Sequence, residues 1–144
     1  MKTTQNSVAE MLGRAHRALL EDLRKLEEAT PLADGGRREE LYDLLAETRV
    51  RVAEHFRLEE QNGYLDAVSK REPRLGRAIA ELAPEHGRLL QAADGLVERA
   101  RARGGADESF GDEVRKWVEA VRRHEGREND LVQDAFNLDI GAED

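Results

Sequence analysis

Apolar residues recur along most of the chain in steps of three and four positions, the period of a helix face that packs against a bundle core. The series run through residues 9–26, 41–59, 75–100 and 110–135. Pro31, Gly63 and the pair Gly104 and Gly105 interrupt the periodicity between them. The pattern therefore predicts four amphipathic helices joined by short turns.

Local signals predict the ends of the first two helices. A capping-box pattern that starts at Ser7 predicts that helix 1 begins there. Pro31 predicts that this helix ends before a turn at residues 34–36. Helix 2 is expected over residues 37–62. Residues 64–71 fit either a ragged continuation of helix 2 or a connecting turn, and the sequence leaves both open.

Prolines and polar residues mark the ends of the last two helices. Pro73 suits the first turn of helix 3, where its missing N–H costs nothing. Pro84 lies within the apolar series and is expected to kink the helix or split it in two, because proline removes an intrahelical hydrogen bond. Asp107 or Ser109 can cap helix 4. A bundle over residues 7–136 is therefore expected to be followed by a short tail at 137–144.

Polar residues stand at core-facing positions of all four series. Two of them are glutamates, and a carboxylate almost never enters a core unless it is paired or bound to a metal. Two helices carry the spacing His-x-x-x-Glu, which places both side chains on one helix face one turn apart. The candidate metal ligands are His16, His55, Glu59, His86, His124 and Glu128.

The chain repeats this arrangement in two halves. His16 and His86 are 70 residues apart, and His55 and His124 are 69 apart. Each half therefore consists of a helix with one histidine, a turn, and a helix with His-x-x-x-Glu. Two such hairpins predict an all-α fold, an antiparallel up-down four-helix bundle in which the histidines meet at one level.

Composition agrees with a helical domain and argues against other classes. The 144 residues fit one domain, and 38% charged with 4% aromatic residues favour amphipathic helices over strands. The net charge of −8 argues against nucleic acid or an anionic membrane as the main partner. The absence of cysteine and of a long apolar segment in the sequence favours a cytoplasmic protein.

The candidate ligands together predict a dinuclear metal site. Two glutamates from different helices can bridge two ions about 3.5 Å apart, and two histidines can bind each ion. Nitrogen and oxygen donors without sulfur suit iron, manganese or zinc, and the bundle favours iron. With an oxo or hydroxo bridge, a position stays open for an exogenous molecule. A ferritin-type site needs Glu-x-x-His, and the residues three before the histidines are Gly13, Val52, Ala83 and Val121.

Simpler interpretations stay open for single residues. A lone histidine on an apolar face, such as His16 taken by itself, is more often a hydrogen-bonded core residue than a ligand. A purely structural bundle would bind no stoichiometric metal. Glu125 is a weak further candidate, because it points about 100° away from His124. Other glutamates, Glu60 among them, are interpreted as a solvated face paired with arginines at i±3 and i±4.

The ordered set of histidines and glutamates resembles that of the hemerythrin-like proteins with the HHE cation-binding domain, over residues 8–136. The resemblance implies a four-helix bundle that holds a non-haem di-iron centre and binds O2, peroxide or NO. It implies that His16 and His55 bind one iron, that His86 and His124 bind the other, and that Glu59 and Glu128 bridge them.

The chain departs from the oxygen-carrying hemerythrins at two places. Those proteins have a second histidine one turn from the helix 3 ligand, where Leu82 and Leu90 stand here. They also have an aspartate five residues after the last histidine, where this chain has Asn129. The second iron is therefore expected to be more open. The expected function is binding of O2 or peroxide, with a catalase-like enzyme or an iron, oxygen or NO sensor as alternatives.

Overall fold

The computed structural model describes residues 2–34, 37–61, 64–102 and 108–143, and the regular elements in these ranges are helical. Short 3-10 turns lie at Thr30–Asp34 and Pro73–Leu75. The α-helices are α1 (Lys2–Ala29), α2 (Arg38–Gln61), α3 (Tyr64–Arg71), α4 (Gly76–Arg101) and α5 (Glu108–Glu143). The all-α prediction is confirmed. Among the described helices, none combines the length and apolar character that a membrane crossing requires.

The four long helices pack side by side in the cyclic order α1, α2, α4, α5. Between α1 and α5, His16 contacts Glu125 and Glu27 pairs with Arg122, so the residue numbers run in opposite directions. The residue numbers also run in opposite directions between α2 and α4, where Arg49 pairs with Asp94 and Glu60 with His86. They do so again between α4 and α5, where Glu85 pairs with His124 and Leu89 with Trp117. Since each helix opposes its neighbour, the structure is the predicted up-down bundle.

The predicted apolar faces meet along the axis of this bundle. Burying one leucine, valine or phenylalanine side chain stabilises the fold by roughly 1.5–3 kcal/mol. Trp117 lies in the same core, and its indole N–H donates a hydrogen bond to the carbonyl oxygen of Leu89 at 2.9 Å. The most deeply buried residues include Leu23, Leu26, Leu41, Leu45, Val52, Phe110, Val114 and Val121.

A second apolar cluster closes the bundle on the side of the candidate ligands. Val68 of α3 and Leu75 of the second 3-10 turn pack against Val132 and Ala135 of α5. The stretch Tyr64–Arg71, left open by the sequence, is thus a short helix with its own apolar contacts. It covers the end of the bundle that lies beyond Glu128.

The predicted start of helix 1 is wrong, and one of the two caps predicted for the last helix is excluded. Helix α1 begins at Lys2, so Ser7 lies within it and does not cap its start. A cap contributes only about 1 kcal/mol, and the preceding residues contain no glycine or proline to end the helix there. Ser109 lies inside α5, which begins at Glu108, and so cannot be its cap. The alternative cap, Asp107, and the turn glycines Gly35 and Gly36 lie outside the described residues.

One of the two effects predicted for Pro84 is excluded by the structure. Pro84 lies inside α4, which continues from Gly76 to Arg101 without being split. A kink at this residue stays a prediction. Pro73 lies in the 3-10 turn just before α4 rather than in the helix itself. At the other end of the chain, the expected tail at residues 137–144 is helical as far as Glu143, as a continuation of α5.

Candidate metal centre

Polar side chains from all four bundle helices meet inside the bundle. Six of them are as buried as core leucines, although every one is a histidine or a glutamate. A carboxylate at such a depth requires a partner that carries positive charge. Counted over the whole residue, the exposed fractions are 8% for His55, 2% for Glu59, 2% for His86, 0% for His124, 1% for Glu125 and 1% for Glu128.

The first donor group consists of His55 and Glu59 of α2 with Glu125 of α5. The His55 Nε2 atom lies 3.3 Å from Glu59 Oε2 and 3.1 Å from Glu125 Oε2. One ligand atom from each residue lies within 4.8 Å of the others, a spacing at which the three could hold one metal ion. The spacing His55-x-x-x-Glu59 explains two of these positions, because residues four apart share a helix face.

The second donor group consists of His86 of α4 with His124 and Glu128 of α5. Glu128 Oε2 lies 3.0 Å from Nε2 of His124 and 3.6 Å from Nε2 of His86. These ligand atoms also lie within 4.8 Å of one another and could hold a second ion. The sequence-predicted partners His86 and His124 are therefore brought together.

Glu59 spans the two donor groups. Its Oε2 atom faces His55 in the first group, and its Oε1 atom lies 3.6 Å from His86 Nε2 in the second. It also interacts with the Glu128 carboxyl of the second group. A carboxylate with one oxygen toward each group has the arrangement that a bridge between two ions requires.

Glu125 is more central than the sequence indicated. It was ranked as a weak candidate because it points about 100° away from His124. However, α5 packs against α4 on one side and α1 on the other, so this rotation turns Glu125 toward a second buried interface. Its Oε2 atom contacts both His16 Nδ1 and His55 Nε2 at 3.1 Å. Its position next to His124 was the signal available in the sequence.

His16 lies at the edge of the site. It joins the first donor group through Glu125, and its side chain is 18% exposed. The structure thus brings His16 beside the predicted site, on the side of His55, with Glu125 between them. Its role as a metal ligand stays a prediction.

Two further glutamates hold the histidines of the second donor group from outside. The Nδ1 atom of His124 lies 2.7 Å from Glu85 Oε1, and Glu85 is also paired with Arg127. The Nδ1 atom of His86 lies 2.8 Å from Glu60 Oε1. Glu60 lies on a solvated face, as predicted, since its side chain is half exposed, but it also bonds His86, which the sequence did not indicate. Ionised carboxylates only accept hydrogen bonds, so both rings carry their proton on Nδ1 here.

That arrangement turns the Nε2 atoms of both rings into the site. With Nδ1 protonated, a neutral His124 turns a lone pair on Nε2 toward Glu128 Oε2, which also offers lone pairs. Nε2 of both His86 and His124 and Oε1 of Glu125 are buried without a hydrogen-bond partner among the described residues. Lone pairs that face one another in this way repel, and only a proton or a metal ion between them removes the repulsion. The residues present therefore fit a metal ion.

Burial and neighbouring charge shift the pKa values of the inner groups. Burial alone would lower the pKa of His55, but hydrogen bonds to Glu125 and Glu59 outweigh it and raise that pKa to about 10. Burial raises the pKa of Glu59 to about 10. For Glu125, burial would raise the pKa, yet hydrogen bonds from His16 and His55 hold it below its ordinary value. Protons on His55 and Glu59 thus compete with cations near neutral pH.

Comparison with known families agrees with this reading of the site. The family model described as the hemerythrin HHE cation-binding domain matches residues 7–136, a range that includes both donor groups. No curated protein and no solved structure gave a significant match. The family match covers most of the chain, and the donor groups supply the residue types that bind cations. The chain belongs to the hemerythrin HHE cation-binding domain family.

Proposed function

We propose that this HHE domain binds two iron ions in the bundle core and that the resulting centre binds O2 or hydrogen peroxide. The observation that carries the proposal is the pair of adjacent buried donor groups, in which histidine nitrogens face carboxylate oxygens. Nitrogen and oxygen donors without sulfur suit iron, with manganese and zinc as the competing metals. The absence of cysteine supports a reducing, cytoplasmic setting.

Each donor group would hold one ion. The first ion would be bound by His16, His55 and Glu125, and the second by His86 and His124. Glu59 and Glu128 would bridge the two, an assignment supported for Glu59 by its position between the groups. These assignments rest on donor chemistry and proximity.

The two ions would not be equivalent. Glu125 gives the first ion one protein donor more than the second, and Leu82 and Leu90 stand where a further histidine could have served the second. A bound iron pair supplies redox equivalents and a Lewis-acidic position that O2 or peroxide can occupy. That vacancy would lie at the second ion, because among the described residues fewer of the proposed ligands would reach it.

Apolar side chains keep water away from the second donor group. The Phe56 ring is buried and stacks on the His86 ring, with centroids 4.0 Å apart and planes inclined by 7°. It also meets the His124 ring edge-on at 5.3 Å. Stacking limits rotation of the His86 ring while Glu60 holds its Nδ1–H. The buried Phe56 ring favours O2 over water on its side of the group, and the fixed His86 ring keeps Nε2 turned toward the site.

The proposal is tested by elemental analysis of the purified protein together with its absorption spectrum. We expect about two iron atoms per chain and an absorption band that changes when O2 or peroxide is added. Removal of the metal with a chelator should abolish the band and its response. A protein that contains no stoichiometric metal, or only zinc, would contradict the proposal.

Peroxide turnover is the second candidate function, and the vacancy inferred at the second ion favours it. A catalase-like enzyme should release O2 continuously from added hydrogen peroxide, measured with an oxygen electrode, and lose this activity when the metal is removed. A carrier should instead show a reversible oxygenated spectrum and release little O2. The two outcomes separate enzyme from carrier on one preparation.

A further inference from the structure

His16 is the most exposed of the candidate metal ligands among the described residues. Its side chain is 18% exposed, whereas those of His55 and His86 are 7% and 3% exposed. It lines a cavity of about 510 Å³ between α1 and α5, whose walls also include Arg17, Leu20 and Gly126. Glu125 precedes Gly126 in α5 and contacts His16, so this groove reaches the first donor group.

The glycine in this wall has no packing or backbone reason to be there. Gly126 lies within α5, where glycine costs roughly 0.5–1 kcal/mol relative to alanine. A Cβ atom added at Gly126 would meet nothing within 4 Å. By contrast, a Cβ atom at Gly111 of the same helix would lie 3.0 Å from the carbonyl oxygen of Thr30, so close packing explains that glycine. What the missing side chain leaves at position 126 is open space beside His16.

We propose that the groove between α1 and α5 is the route by which small exogenous molecules enter the metal centre, and that Gly126 keeps it open. The inference rests on the proposed function, since it concerns ligands of that centre. The molecules concerned have two or three heavy atoms, such as O2, peroxide or a small anion. They pass His16 and Glu125 at the first ion before they reach the second.

A second groove offers the competing route. It lies between α1 and α2, has a volume of about 360 Å³, and is lined by His55 and Ala18 among others. The exposed fraction of the His55 side chain is 7%, less than half that of His16. The larger groove and the more exposed ligand therefore favour entry between α1 and α5.

The route is tested with three leucine substitutions in the iron-loaded protein. Gly126→Leu fills the proposed groove, Ala18→Leu fills the competing groove, and Gly95→Leu adds a side chain at an exposed α4 position where a Cβ atom also meets nothing within 4 Å. Azide is the probe, and its binding rate is followed by stopped-flow absorption. The uptake rate of Co²⁺ by the metal-free protein serves as a readout independent of iron chemistry.

Gly126→Leu should slow azide binding about tenfold or more, which corresponds to roughly 1.4 kcal/mol in the entry barrier, with unchanged iron content and final spectrum. Gly126→Ala, the milder variant, should slow it less, and the other two variants should bind azide within about twofold of the parent rate. If iron-loaded Gly126→Leu binds azide as fast as the parent, the proposed route is wrong but the proposed function stands. The same conclusion follows if only Ala18→Leu binds azide more slowly. A parent protein without iron overturns the proposed function and the route with it.

Discussion

Replacing Glu59 with glutamine is expected to lower the iron content from about two ions per chain to about one or none, and to abolish peroxide turnover if the parent protein has it. Glu59 is the residue with one carboxylate oxygen toward each donor group. Glutamine keeps one acceptor oxygen but replaces the other with an NH2 group, which cannot bind a cation. The bridge between the two groups is therefore lost. Elemental analysis gives the stoichiometry, and an oxygen electrode gives the turnover.

The same substitution should leave the fold intact, so the loss of iron would not result from unfolding. Burial raises the pKa of Glu59, which favours the protonated carboxyl when no metal is bound. Glutamine has nearly the shape and hydrogen-bonding groups of that protonated carboxyl. Thermal unfolding of the metal-free variant should match the parent within about 1 kcal/mol. Glu54→Gln, an exposed change on the same helix, is the matched control and should keep the full iron content. Two ions retained by Glu59→Gln would contradict the bridging role.

The bundle and the buried positions of most candidate ligands could be predicted because they depend on helical period alone. Steps of three and four residues determine which side chains share a helix face. That was sufficient to place Glu59 and Glu128 in the core, and the structure buries both. The repeat of the pattern after 69 residues then brought two similar hairpins together. Neither inference requires knowledge of how neighbouring helices are aligned along the bundle axis.

Contacts between helices were harder to predict because they depend on that alignment. Glu60 and Glu85 each contact the Nδ1 atom of a histidine on the neighbouring helix of the bundle. The spacing of residues within one helix cannot predict such a contact between two helices. Glu125 was underestimated because a single apolar face was assigned to a helix that packs against two neighbours. The start of the first helix was missed for a different reason. A local cap contributes only about 1 kcal/mol and does not stop a helix that neighbouring residues favour.

Replacing Glu85 with glutamine is expected to weaken binding of the second metal ion about 10–100-fold while leaving the first ion in place. Glu85 holds the Nδ1–H of His124 at 2.7 Å, and Arg127 holds Glu85 in turn. The ionised carboxylate makes the imidazole a stronger donor and keeps the proton off Nε2. Glutamine offers a weaker acceptor and can also present its NH2 group, which disfavours the His124 tautomer with its proton on Nδ1. Stepwise titration against a chelator of known affinity resolves the two ions.

A change confined to the second ion separates this positioning role from a general loss of stability, which would weaken both ions together. Glu81→Gln, one turn earlier on the exposed face of α4, should change neither affinity. Glu60→Gln should resemble Glu85→Gln but with a smaller effect, because the Glu60 side chain is 50% exposed and water can replace its hydrogen bond to His86, whereas the Glu85 side chain is 18% exposed. The absorption of Co²⁺ bound in the second position should shift in Glu85→Gln, since the donor strength of His124 changes. Equal weakening of both ions, or none, would contradict an outer carboxylate that acts through His124.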